Sequence, residues 1–316
     1  MPTLLCTLGH VATTRELRAH GVTPWQLHRG VADGRVTRPR RGTYACTHVD
    51  LNILRAAELG GAITCVTVLR RAEVWAGHDR DTHVQVMPGS AVTPARGARL
   101  HWVEPHLGME TRFVAGPAEA LRQAMHCLDS ENAVAALESA GHEELLQPDE
   151  VWRVFRSAPR RVQRETATLH FDSGSGNETI VRLRLQHVGF QVEPQGYVPG
   201  LGHQDLVVEG CIGLEIDGRK WHGEDRFALD RDRDIHSESL GRHVLRLRPA
   251  HIFETWPQTL IAIERAVSDA KTLRRLRSWR NGATQLRKNG DTPAEAVVTG
   301  GVSPVLRSCV GAQPEE

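Results

Sequence analysis

The stretch His203-Gln204-Asp205-Leu206-Val207-Val208-Glu209-Gly210-Cys211-Ile212-Gly213-Leu214-Glu215-Ile216-Asp217-Gly218 decides the fold of the C-terminal half. Two apolar runs flank Glu209-Gly210-Cys211, the pattern of a β-hairpin. A turn centred on Gly210 pairs Leu206 with Leu214 and Val208 with Ile212, giving one apolar face with Ile216 beside it. The same register puts Asp205 opposite Glu215 on the other face, where directly opposed Cβ atoms lie roughly 4.5–5.5 Å apart. Asp217, two residues on, joins them. Like charges held that close oppose folding unless one is protonated or a cation lies between them. A hard divalent ion with oxygen ligands, Mg2+ or Mn2+, resolves the repulsion most simply.

Upstream of the hairpin, Ser175-Gly176-Asn177-Glu178 opens a helix with Val181, Leu185 and Val188 at helical spacing and Gly189 as its stop. Ser175 with Glu178 also satisfies the capping-box pattern, in which Glu178 bonds back to the cap amide and has a structural role alone. Phe190-Gln191-Val192 reads as a strand. A helix over about Arg231–Leu240, a strand over Val244–Leu247 and a helix over Pro257–Val267 follow. The order predicts an α/β layer (α+β over the whole chain) with a mixed sheet flanked by helices.

These residues resemble the PD-(D/E)XK nuclease superfamily, in its branch similar to very-short-patch-repair endonucleases. The resemblance covers most of Asn177–Val267 and is carried, in order, by Glu178, Gln195 in EPQGYV, Asp205, LEIDG at Leu214–Gly218, His222, DRDRD at Asp230–Asp234 and GRHVLRLR from Gly241. It implies a restriction-endonuclease-like sheet and hydrolysis of a DNA phosphodiester, with Asp205 and Glu215 holding Mg2+ or Mn2+ and Glu178 joining them directly or through water. The family's usual lysine, two residues after the acidic ligand, is replaced by Asp217, which leaves the general base open. His222 is the candidate for proton transfer, because imidazole titrates near neutral pH; a structural histidine weighs equally. Lys220 as a substitute cation and an Asp230/Arg233 helix-face ion pair are weaker alternatives.

The N-terminal segment has a different pattern. Thr13 caps a short helix that Gly21 stops, Thr23-Pro24 caps a second from Trp25 to Ala32 with Leu27 and Val31 four apart, and Arg35–Ala45 reads as two strands around a basic turn. Between Arg15 and Arg41 there is a local excess of +5 charges, although the chain as a whole carries only +1. Helix, turn, helix and wing with arginines suit phosphate contact, with Arg29, Arg35, Arg38, Arg40 and Arg41 as the candidate nucleic-acid-binding residues. The segment GVTPWQLHRGVADGRVTRPRRGTYA resembles the winged-helix domain of AbiEi-like type IV antitoxins. A small protein-contact module is the plainer alternative.

Length and composition bound the rest. The 316 residues predict several units: a winged helix-turn-helix over 1–48, a helical and strand-containing middle region over 49–168, the nuclease-like domain over 169–270 and a basic, then disordered, tail over 271–316. Pro117–Ser139 and Pro148–Phe155 read as packing helices. The cysteines are scattered without a C-x-x-C pair, which gives no sign of zinc or redox chemistry and suggests reduced, mostly buried thiols. No apolar run is long enough for a membrane span, and the first residues lack a secretory pattern, so a cytoplasmic location is expected. Walker, nucleophile-elbow, dinucleotide and H-E-x-x-H motifs are absent from the sequence. Two functions compete: a Mg2+-dependent DNA endonuclease with an N-terminal DNA-binding module, and a non-catalytic DNA-binding regulator or antitoxin-like protein. DNA is the expected partner, with no membrane; a second copy of the chain or a defence-system protein stays open.

Overall fold

The computed structural model describes residues 2–93, 96–198, 202–217 and 243–288, with the side chains of its last helix described to residue 276. Helix α1 (Pro2–Thr7), strand β1 (Val11–Thr13), helices α2 (Thr14–Ala19) and α3 (Pro24–Ala32), and strands β2 (Val36–Arg40) and β3 (Thr43–Cys46) come first. The sheet order is β1-β3-β2, with β2 and β3 antiparallel around Arg41-Gly42. Both short helices start from capping boxes: the Thr13 and Thr23 hydroxyls accept from the amides of Glu16 and Gln26, whose side chains accept from the cap amides in return. Gly21 and Gly34, which follow α2 and α3, take positive φ. Leu5, Leu17, Leu27, Val36 and Tyr44 form the small core. Val31 departs from the expected apolar stripe; it is exposed, and Gly30 takes the buried position of the last turn.

The middle region comprises α4 (Leu51–Leu59), β4 (Ala62–Ile63), α5 (Cys65–Arg71), β5 (Thr82–Val86), β6 (Ala98–Trp102), β7 (Met109–Thr111), β8 (Val114–Ala115), α6 (Pro117–Cys127), α7 (Ser130–His142), α8 (Pro148–Ser157) and α9 (Arg160–Gln163). Its five-stranded sheet runs β6-β5-β4-β8-β7, which makes β6 an edge strand. The single helical region expected over Pro117–Ser139 is two helices, because Asp129 caps a new start by accepting from the amide of Asn132.

Helix α10 (Gly176–His187) leads to β9 (Val192–Pro194), the short pair β10 (Tyr197–Val198) and β11 (Gly202–His203), β12 (Leu206–Val208), β13 (Ile212–Ile216), β14 (His243–Leu247), α11 (Pro249–Phe253) and α12 (Trp256–Lys288). The mixed sheet runs β14-β13-β12-β9, with β9, β12 and β13 antiparallel and β14 parallel to β13. The hairpin has the register read from its sequence: Leu206 faces Leu214 and Val208 faces Ile212, around a turn in which Glu209 and Gly210 both take positive φ. Leu206, Val208, Ile212, Leu214 and Ile216 pack with Ile180, Val181 and Leu185 of α10 and Ile263 and Val267 of α12. The expected strand at Phe190–Val192 lies two residues later, and Val188 is an exposed C-cap rather than part of the buried stripe. The expected helix over about Arg231–Leu240 lies outside the described residues.

Residues Met1–Ala270 form one unit and Lys271–Glu316 a second. Helices α7 and α10 join the middle region to the mixed sheet: Arg182 and Glu138, both fully buried, pair at 2.6 Å, and Thr179 Oγ1 and the His170 amide donate to the same carboxylate. Helix α12 runs well past the helix expected over Pro257–Val267, continuing to Lys288. Its Leu-, Arg- and Ala-rich sequence favours helix. Among the described residues, no helix is long and apolar enough to cross a membrane.

Candidate functional site

The N-terminus of α10 and the hairpin put two carboxylates side by side. Ser175 caps α10 by accepting from the Glu178 amide at 3.3 Å, and the buried Glu178 side chain accepts from the Gly174 amide at 2.9 Å and from Ser175 Oγ at 3.0 Å. The capping box is therefore incomplete, because the carboxylate reaches the amide before the cap and leaves one edge toward the sheet. Gln195 Nε2 donates to Glu178 Oε2 at 3.2 Å from the bend between β9 and β10, where Gln195 takes a φ of 50°. Asp205, just before β12, accepts from the Ile216 amide at 2.6 Å, and its own carbonyl accepts from the Gln195 amide.

The electrostatics follow from this packing. Burial, then the neighbouring Asp205, pushes the Glu178 carboxyl up to about 7, against the hydrogen bonds it accepts. Burial also raises Asp205, with Asp217 adding to it and the Ile216 amide and Gln195 opposing. Asp205 disfavours the charge of Glu178, and a divalent cation held between the two oxygen donors would relieve it.

The other expected site residues divide. Glu215 lies on β13 and pairs with Arg246 Nε of β14 at 3.0 Å, as their parallel register dictates. Asp217 lies just past β13, exposed and close enough to act on Asp205. Among the described residues, Glu178, Asp205 and Glu215 do not form a set with ligand atoms all within 4.8 Å of one another. His222, Lys220 and the Asp230/Arg233 pair lie outside the described residues. Sequence reasoning missed the pairing of Arg246 with Glu215, which only the parallel β13–β14 register brings about.

On the winged helix, Arg29, Arg35, Arg38, Arg40 and Arg41 are all exposed. Asp33 holds Arg35 at 2.6 Å and Arg29 at 3.7 Å, and Arg29 also lies over the ring of the exposed Trp25. Arg38 lies over Tyr44, while Arg41 stands at the tip of the β2–β3 turn. Arg40 turns back, donating to the Leu59 carbonyl at 3.3 Å, and a Cβ at Gly60 would collide with its guanidinium. Trp25, at the start of α3, is exposed.

The scattered cysteines also converge. Cys65, His83, His101 and Cys127 present ligand atoms all within 4.8 Å of one another, and Cys6, His10 and Cys46 form a smaller set in the winged helix.

Residues 8–47 match the family described as transcriptional regulator, AbiEi antitoxin. The match covers the winged helix and gives that segment an antitoxin-like, regulator-type module. No curated protein matches the chain.

Proposed function

We propose that the chain is a divalent-metal-dependent DNA endonuclease of the PD-(D/E)XK type, brought to duplex DNA by its AbiEi-like winged helix. The observation that carries this reading is the buried Glu178 beside Asp205, braced by Gln195 at the mouth of a mixed sheet. Glu178 and Asp205 would hold Mg2+ or Mn2+, which would supply Lewis-acid stabilisation of a phosphoryl transition state and a nucleophilic water at neutral pH, with Glu215 joining them only if released from Arg246. Within the chain, Gln195 fixes the Glu178 carboxylate, the Ile216 amide fixes Asp205, and Arg246 balances the charge of Glu215. His222 is proposed for proton transfer, because Asp217 stands where the family has its lysine. Arg35, Arg38 and Arg41 contact phosphates, with α3 in the major groove.

A second reading, a DNA-binding regulator that does not cut, is favoured by the Arg246 ion pair on Glu215 and by Asp217 in place of the lysine. Incubating the purified chain with supercoiled plasmid and Mg2+ or Mn2+ separates the two. Nicking or linearisation that chelator and Asp205→Asn both abolish supports the endonuclease. Salt-sensitive DNA binding without cleavage under either ion overturns it in favour of the regulator.

A further inference from the structure

We propose that Cys65, His83, His101 and Cys127 form a closed, structural Zn2+ site that ties the edge strand of the five-stranded sheet to the helices behind it. The four come from separate elements: Cys65 starts α5, His83 lies on β5, His101 on the edge strand β6, and Cys127 ends α6. Cys65 and His83 are fully buried, and His101 and Cys127 are half-buried.

The spacing fits a tetrahedral ion. With Zn–S of about 2.3 Å and Zn–N of about 2.0–2.1 Å, a sulfur and a nitrogen ligand are ~3.6 Å apart and two nitrogens ~3.3 Å apart. Cys127 Sγ lies 3.6 Å from His83 Nδ1, and His83 Nδ1 lies 3.0 Å from His101 Nε2. Four protein ligands of the Cys2His2 type leave no open position, which makes the site structural rather than catalytic.

The surroundings orient the ligands. His83 Nε2 lies 3.1 Å from Asp79 Oδ2, so its N–H donates outward and its Nδ1 lone pair faces the cluster. Asp79 is held in turn by the Asp81 amide at 2.9 Å and by Arg99 at 3.5 Å. Arg99 also donates to Cys127 Sγ at 3.5 Å. Cys65 takes a φ of 52°, a left-handed conformation that a non-glycine residue keeps where its surroundings enforce it.

The test is metal analysis of the full-length protein, purified without chelator, with and without added Zn2+, in a Cys6→Ala background that removes the winged-helix set from the count. About one equivalent of zinc per chain is expected, lost in Cys127→Ser and in His101→Ala. Replacement by Co2+ in the Cys6→Ala chain gives an independent readout, with the intense visible bands of a four-coordinate ion and near-ultraviolet thiolate charge transfer, both lost in Cys127→Ser. Zinc content unchanged in the Cys127→Ser/His101→Ala double variant overturns the proposal. So does an unmutated chain that takes up neither ion, or one in which peptide mapping finds Cys65 joined to Cys127 as a disulfide.

Discussion

Glu178 with Asp205, and Cys65 with His83, His101 and Cys127, are both packed sets of cation-binding side chains, and they differ in where their members originate. Asp205, Glu215 and Asp217 all lie on or next to the two strands of one hairpin. The thiol–imidazole set draws on two helices and two strands, and only the packed middle region assembles it. Burial first, and a neighbouring carboxylate second, raise Glu178 and Asp205, whereas the Cys/His set is braced by Asp79 and Arg99 on its outer side. A repelling, partly open group suits a site that engages ligand; a closed, braced one suits a staple.

The largest expected effect is at the seam between the two regions. Arg182→Ala leaves Glu138 buried without its partner and should destabilise the protein by roughly 3–5 kcal/mol in urea titration. Middle region and mixed sheet should unfold together. Two separate transitions in the unmutated chain would show instead that the two sites belong to independently folding bodies.

Gln195→Ala sharpens the acidic side of the comparison. Removing the amide that fixes Glu178 should lower divalent-dependent cleavage about 10–100-fold, as loss of an outer-shell partner does. An unchanged rate would show that Glu178 needs no positioning.

Smaller effects belong to the winged helix. Arg41→Ala should weaken duplex binding similarly for all sequences and reduce the salt slope of log K by about 1, measured by fluorescence anisotropy over a salt series. Arg40→Ala should leave that slope unchanged, since Arg40 is committed to the Leu59 carbonyl. Equal slopes for both variants would remove the distinction.

A test of direction concerns acid. Against its burial, hydrogen bonds from Arg122, Gln123 and the amides of Leu107 and His106 hold the Glu119 carboxyl below its ordinary value. A depressed carboxylate contributes stability that is complete above its unfolded pKa of about 4.5 and is lost as pH falls through the folded value. The middle region should weaken on acidification below that point, and Glu119→Gln should flatten the pH dependence of denaturant midpoints. A variant that keeps the unmutated slope would assign the acid response elsewhere.

The hairpin register, the mixed sheet and the capping of α2 and α3 were legible because each is encoded within a short window: alternation, a Gly turn, or a Thr three residues before Glu or Gln. That Glu178 lies beside Asp205 depends on the packing of α10 against the hairpin, and only the resemblance implied it. The Arg246 partner of Glu215 was not legible, because it depends on a parallel pairing across distant segments. The Cys/His set was read as unremarkable scattered thiols and histidines, since no two of its members lie within a metal-binding spacing and only the fold makes them neighbours. The length of α12 was missed because an Arg-rich composition resembles both a solvated helix and a disordered tail.

Mn2+ binding followed by electron paramagnetic resonance, on zinc-saturated full-length protein so that only oxygen-ligand sites compete, tests the reading of Glu178 and Asp205 most directly. Uptake of Mn2+ that Asp205→Asn and Glu178→Gln each weaken strongly, while His101→Ala leaves it intact, is the expected result. Equal uptake by the unmutated chain and the Asp205→Asn/Glu178→Gln double variant would contradict it.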